Sequence, residues 1–161
     1  MTAPVRIWLE TSHHAAFQVG GWAWVRDEAG AVSGAAGGGR RIGAERAGLA
    51  ALAAALAGLP KDTAIELWSA SAPVLAIPRR IAAAQAGEAA PEENLDLWAQ
   101  AITLLSAPGR GIRAGRSAAG TPGAFAAAWA ELARDRAKDR GDFTAPIPKP
   151  NLAKAGVPPQ P

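Results

Sequence analysis

The chain of 161 residues contains no cysteine and no tyrosine, and a single methionine. Without thiols it can form neither disulfides nor thiolate metal sites, which fits a reducing compartment, and we expect a cytoplasmic protein. No apolar run follows a basic segment at the start, so no signal peptide is expected. The Ala-rich stretch 49–59 is too short to cross a membrane. One-sided charge is scarce as well: 17 Lys and Arg against 14 Asp and Glu leave a net charge of +3. Such a surplus permits a nucleic-acid partner without demanding one.

What is present is patterned. Residues 5–9 alternate as a strand, 20–25 read as a second, and DEAG at 27–30 as the hairpin turn into a third. That third strand is expected to be short or irregular, because residues 34–39 are all Gly or Ala. Leu49, Leu52, Leu56 and Leu59 place a helix over 45–59, ended by Pro60. Residues 65–68 form a fourth strand that runs into a helix capped by Ser71. Pro78 is expected to break this helix. Asn94 caps a further helix with Leu95, Trp98, Ile102 and Leu105 on one face, and a short strand follows near Ile112. A last helix over 125–138 should turn Phe125, Trp129 and Leu132 inward.

The order β-β-β-α-β-α-α-β-α implies a five-stranded mixed α/β sheet with helices on its faces. We expect one domain over 1–140. Residues 141–161 hold six of the 13 prolines and no periodicity, so an extended tail is expected there. Its isolated apolar residues, among them Phe143, Ile147 and Leu152, suit a protein partner's groove or sheet edge; a strap on the chain's own surface is the alternative.

Several fragments, in order, resemble ribonuclease H type 1 over roughly residues 4–138. Asn94-Leu95-Asp96-Leu97-Trp98 is similar to that family's N-x-D-L-W helix start, and Gly20-Gly21-Trp22-Ala23 to its Gly-Gly-aromatic second strand. Ala44-Glu45 is similar to its glutamate-led helix, and 129–134 (WAELAR) to its closing x-D-E-L-A-R. The resemblance implies an RNase H-like fold. It also implies a site where four carboxylates hold two Mg²⁺ ions, which clamp the attacking and leaving oxygens of a cut RNA strand.

Placed on that pattern, the four ligand positions fall on Glu10, Glu45, Ala70 and Ala130. Two cannot coordinate anything. The family's Lys-Gly-His loop falls near Arg116-Ser117-Ala118, so its histidine is missing. Its backbone-gripping Thr–Asn stretch is replaced by Arg40-Arg41-Ile42-Gly43, and its basic handle by the acidic stretch 82–93. Expected is a degenerate pseudoenzyme, not a nuclease, with no metal site and no cofactor.

Other residues also carry side chains capable of chemistry. Glu10 and Glu45 either hold one cation weakly or serve as a cleft-lining carboxylate and a first-turn helix carboxylate; the second is expected. His13 and His14 read as loop residues. Thr11, Ser12 and Ser69 lack a histidine to activate them as nucleophiles. Trp8, Trp68, Trp98 and Trp129 read as core, with Trp22 and Trp24 together on one strand face. Arg40, Arg41, Arg113 and Arg116 are the candidate nucleic-acid contacts. The resulting expectation is a catalytically inactive protein-interaction or scaffold module. A non-cleaving binder of RNA–DNA hybrid or duplex is the alternative, and residual metal-dependent cleavage comes third.

Overall fold

The computed structural model describes residues 3–160; Met1, Thr2 and Pro161, the outermost residues of the two expected segments, lie outside it. The strands are β1 (Val5–His14), β2 (Val19–Glu28), β3 (Ala31–Arg40), β4 (Ile65–Ser69), β5 (Ile112–Arg116) and β6 (Phe143–Pro146). The helices are α1 (Ala44–Leu56), α2 (Ala72–Gln85), α3 (Leu95–Leu105), α4 (Gly123–Arg140) and α5 (Lys149–Leu152). The sheet has six strands in the order β5-β4-β1-β2-β3-β6, one more than expected. β1, β4 and β5 are parallel, whereas β2, β3 and β6 continue as an antiparallel meander.

One face of the sheet carries large side chains. Ile7, Leu9, Trp22, Trp24, Ile65 and Leu67 pack against Leu49, Leu52, Leu56, Ile77 and Trp98 from α1–α3. Trp22 and Trp24 are buried there. β3 is a full ten-residue strand despite its glycines. Gly37 leaves room for the Trp22 ring, because a Cβ there would lie 2.4 Å from Trp22 Cζ2. Pro78 sits inside α2 and does not end it; Val74, Ile77 and Ile81 on either side are buried, and that packing holds the helix together. Leu95 is exposed, so α3 is anchored by Trp98, Ala101 and Leu105.

Under α4, the opposite face is built from small residues. Ala23 and Ala36 meet Ala130 and Ala133 of α4. A Cβ on Gly21 would stand 2.3 Å from the Arg134 amide nitrogen and 2.4 Å from the Ala130 carbonyl oxygen, so helix and strand touch through their backbones. Phe125 and Trp129 are half-buried, while Leu132 is 60% exposed: alanines, not the large apolar residues, form the inward stripe of α4.

The Pro-rich segment is packed, contrary to the expected extended tail. Phe143–Pro146 pairs with β3, and Ile147, Leu152 and Ala155 close over Val25 as a small core of their own. Ile147 is 3% and Leu152 8% exposed, so both side chains are spent inside the molecule. The chain then crosses back to β1, where the Arg6 guanidinium donates to the Pro158 carbonyl and the Gln160 amide donates to Pro4 O at 3.2 Å. Arg6 also forms a buried ion pair with Asp27 (2.6 Å), its neighbour across β1 and β2.

Candidate functional site

Parallel strands with helical crossovers place their carboxyl ends at one edge of the sheet, where α/β proteins usually bind ligands. Here β1 delivers Glu10 to that edge, β4 delivers Ser69 and Ala70, and the segment after β5 delivers Ser117. Glu10, Ala70 and Ser117, together with Thr11, Ser71 and Ala127 of α4, line an open cleft of about 480 Å³, while Ser69 is fully buried.

Glu10 is only 5% exposed, not the solvated cleft residue expected. Its carboxylate is held from three sides. Ser69 Oγ donates to Oε1 at 3.0 Å, the Ala70 amide to both oxygens at 3.0 Å, and Ser117 Oγ to Oε2 at 3.2 Å. Ser69 in turn accepts from the Ser71 amide at 3.0 Å. Burial pushes the Glu10 carboxyl above its ordinary value; the hydrogen bonds from Ala70, Ser69, Ser117 and Ser71 oppose that shift without cancelling it.

Glu45 is engaged elsewhere and does not line this cleft. Asn94 Nδ2 donates to its Oε2 at 2.8 Å, Trp98 Nε1 approaches the same oxygen at 3.4 Å, and Arg80 pairs with Oε1. Burial raises this carboxyl too, but the bonds from Asn94, Arg80 and Trp98 and the Arg80 charge outweigh it and hold the group below its ordinary value. Arg80 also lies over the Trp98 ring, 4.3 Å from its centroid. Asn94 does not cap α3 with its side chain. It takes a left-handed backbone (φ 55°), which asparagine tolerates, and spends its amide on Glu45. Beside it, Arg46 grips Asp96 with two bonds of 3.0 Å. The residues of the N-x-D-L-W motif thus lock α3 to α1.

Of the four ligand positions implied by the resemblance, the structure therefore brings only Glu10 and Ala70 together. Ala130 is fully buried against β2 and β3, and the α4 residues that line the cleft are Gly123, Ala124 and Ala127. Among the described residues no three His, Cys, Asp or Glu side chains gather in one cluster. A Mg²⁺ pair requires several hard oxygen ligands with free lone pairs. The cleft offers one carboxylate, already committed to three donor groups. The donor set does not fit the two-ion centre.

The remaining candidates are scattered. His13 and His14 lie at the exposed end of β1, within the strand, and His14 packs on Phe17 at 4.7 Å. Ser12 accepts from Arg134 Nη1 at 2.9 Å. Trp8 and Trp98 are buried, whereas Trp68 is half-exposed. Arg40 donates to the Lys138 carbonyl (3.0 Å) and the Asp139 carbonyl (3.2 Å), so it satisfies the last turn of α4. Arg41, Arg113 and Arg116 are exposed. β5 and β3 are four strand spacings apart, about 19 Å, so these arginines do not form one compact patch. Sequence reasoning missed the roles of Ser117 and Arg80, whose partners lie 107 and 35 residues away.

No protein-family model and no curated protein sequence matches the chain. Solved structures do. The N-terminal RNase H domain of Rv2228c from Mycobacterium tuberculosis, solved as a maltose-binding-protein fusion, is 20% identical with a TM-score of 0.63; the match covers 86% of this chain and 98% of that one. LC9-RNase H1, a type 1 RNase H with the type 2 active-site motif, is 17% identical with a TM-score of 0.65, over 98% of this chain and 82% of that one. A foamy viral protease–reverse transcriptase in complex with an RNA/DNA hybrid is 12% identical with a TM-score of 0.63, over 81% of this chain and 20% of that one. Strand order, helix placement and these superpositions agree that the chain has the ribonuclease H-like fold.

Proposed function

We propose that this chain is a ribonuclease H-like domain that binds without cleaving. The observation that carries the reading is the state of Glu10, whose two oxygens are taken up by Ser69, Ala70 and Ser117 in a cleft whose facing positions are Ala70 and Ala127. A carboxylate so committed is a clamp between β1, β4 and the segment after β5. It has no second carboxylate with which to bridge two cations.

The solved neighbours, one of them holding a hybrid, favour nucleic acid as the partner. Of the four candidate arginines, Arg41, Arg113 and Arg116 are free to meet phosphates, since Arg40 is engaged with α4. Three dispersed charges give weak, salt-sensitive affinity. A protein-partner reading rests on a different surface: exposed Leu132 beside Trp129, Phe143 and Pro146, along the seam of α4 and β6.

The test is incubation with an RNA–DNA hybrid and Mg²⁺ or Mn²⁺, with binding followed by anisotropy as salt is raised. We expect no cleavage above a buffer control, and weak binding that is lost by about 0.2 M salt. Neutralising Arg113 and Arg116 together should weaken it further. Metal-dependent cutting that disappears on Glu10→Ala would overturn the non-cleaving reading. An affinity unmoved by salt would remove the phosphate-contact reading and leave the seam of α4 and β6.

A further inference from the structure

α4 packs on β1, β2 and β3. Beside it, on the same sheet face, lies a cavity of about 470 Å³ over β1, β4 and the end of β5. This is within the general size range of small-molecule sites, about 300–1,000 Å³. Its floor is a cross-strand row: Trp8 stands opposite Trp68 in the β1–β4 pairing, and Trp68 stands opposite Gly115 in the β4–β5 pairing. Gly115 is what lets the Trp68 ring lie down on the sheet, because a Cβ there would come within 2.8 Å of Cζ3. One wall is the returning chain at Pro158 and Gln160, held in place by the bonds to Arg6 and Pro4. The other is formed by Thr121 to Gly123.

The polar groups around this floor divide into two kinds. Arg6 is engaged through Nε and Nη2 by Asp27 and the Pro158 carbonyl, lies 5.2 Å from the Trp8 ring centroid, and belongs to the wall. Glu66 and Arg116 also line the cavity, yet neither has an ion pair among the described residues. An aromatic floor with one uncommitted carboxylate and one uncommitted guanidinium at its border is a specific combination. Indole faces favour a flat ring, a guanidinium favours a carboxylate or phosphate, and a carboxylate favours an N–H edge.

We propose that this cavity binds a small ligand made of a planar aromatic ring and an anionic group. The ring lies on the half-exposed Trp68, beside the buried Trp8, its N–H edge faces Glu66, and its anion is held by Arg116. The site differs from the cleft around Glu10, from which residues 117–123 separate it, and it does not depend on the non-cleaving reading. It also assigns the C-terminal strap a second use, as the wall that turns an open sheet face into a pocket.

Adenosine monophosphate is a suitable probe, with adenosine and inorganic phosphate as its two halves. The full chain has six tryptophans, so its indole N–H resonances report on each one separately. Adenosine monophosphate should shift the Trp8 and Trp68 signals saturably and leave those of Trp22, Trp24 and Trp129 in place. Adenosine should shift the same two signals with about tenfold weaker affinity, for want of the anion contact, and phosphate alone should shift neither. Arg116→Ala, at an exposed position, should keep the fold and reduce the nucleotide's affinity to that of adenosine. Absence of a saturable shift at Trp8 and Trp68 up to about 10 mM would overturn the proposal. So would a nucleotide affinity unchanged in Arg116→Ala.

Discussion

The two faces of this sheet are closed by opposite means. Toward α1–α3 the strands present Ile7, Leu9, Trp24, Ile65 and Leu67, and the helices answer with leucines and Trp98. Toward α4 they present Gly21, Ala23 and Ala36, and the helix answers with Ala130 and Ala133. The first face gains stability from area removed from water, at about 25 cal/mol per Å². On the second, small side chains remove little area each, and what they permit is backbone contact. A thin interface of that kind leaves part of the sheet uncovered, and residues 143–160 cover it: β6 lengthens the sheet, while Ile147, Leu152 and Ala155 seal Val25. The difference teaches that the Pro-rich segment completes the fold on its weaker side.

Deleting residues 143–161 is the harshest test of that contrast. Burying an isoleucine and a leucine contributes about 1.5–3 kcal/mol each, and at this chain length 1 kcal/mol corresponds to about 2–4 °C. The truncated chain should therefore melt about 6–24 °C lower by calorimetry or circular dichroism. A melting temperature within about 2 °C of the full chain would show that α4 alone suffices on that face.

A single methyl group probes the same face more gently. Gly21→Ala forces a Cβ against the α4 backbone, which cannot move aside as a flexible side chain could. We expect a loss of about 3 kcal/mol in denaturant titration. Leu132→Ser, on the exposed side of the same helix, should change stability by less than about 0.5 kcal/mol. If the two variants exchanged ranks, the alanine stripe would not be the inward face.

How much of this was legible follows the same division. The α1–α3 side could be read directly, since Leu49, Leu52 and Leu56 repeat at helical spacing and Val5 to Leu9 alternate. The α4 side could not. Hydropathy gave Phe125, Trp129 and Leu132 the inward role, and an alanine stripe carries almost no contrasting signal. The glycines of β3 read as irregularity for the same reason: what they accommodate, the Trp22 ring and the approach of α4, comes from other parts of the chain. Composition also misled in the tail, where proline spacing hid a four-residue strand and two buried apolar anchors. At the candidate site, the alanine at the β4–α2 junction was visible at Ala70. The clamping of Glu10 was not, because Ser117 reaches it across 107 residues of sequence.

The finest contrast lies between Glu10 and Glu45, which the resemblance groups together and the structure separates. Both have an ordinary value of 4.5. Burial raises Glu10 in the folded chain, so between 4.5 and its folded pKa the native state binds more protons than the unfolded one. Its contribution to stability is therefore fullest below 4.5 and falls as pH rises through that window. Glu45 is held below 4.5 by Asn94, Arg80 and Trp98 against the pull of burial. Its contribution is present above 4.5 and is lost as pH falls through its folded pKa. Stability curves for the parent, Glu10→Gln and Glu45→Gln, each measured by denaturant titration at several pH values, separate the two. As pH rises, the parent should lose ground to Glu10→Gln above 4.5. Against Glu45→Gln it should gain ground below 4.5, and hold that advantage to neutrality. Two slopes of the same sign would mean that the hydrogen bonds, not burial, set the balance at Glu10, and the dominance of burial at its carboxylate would have to be abandoned.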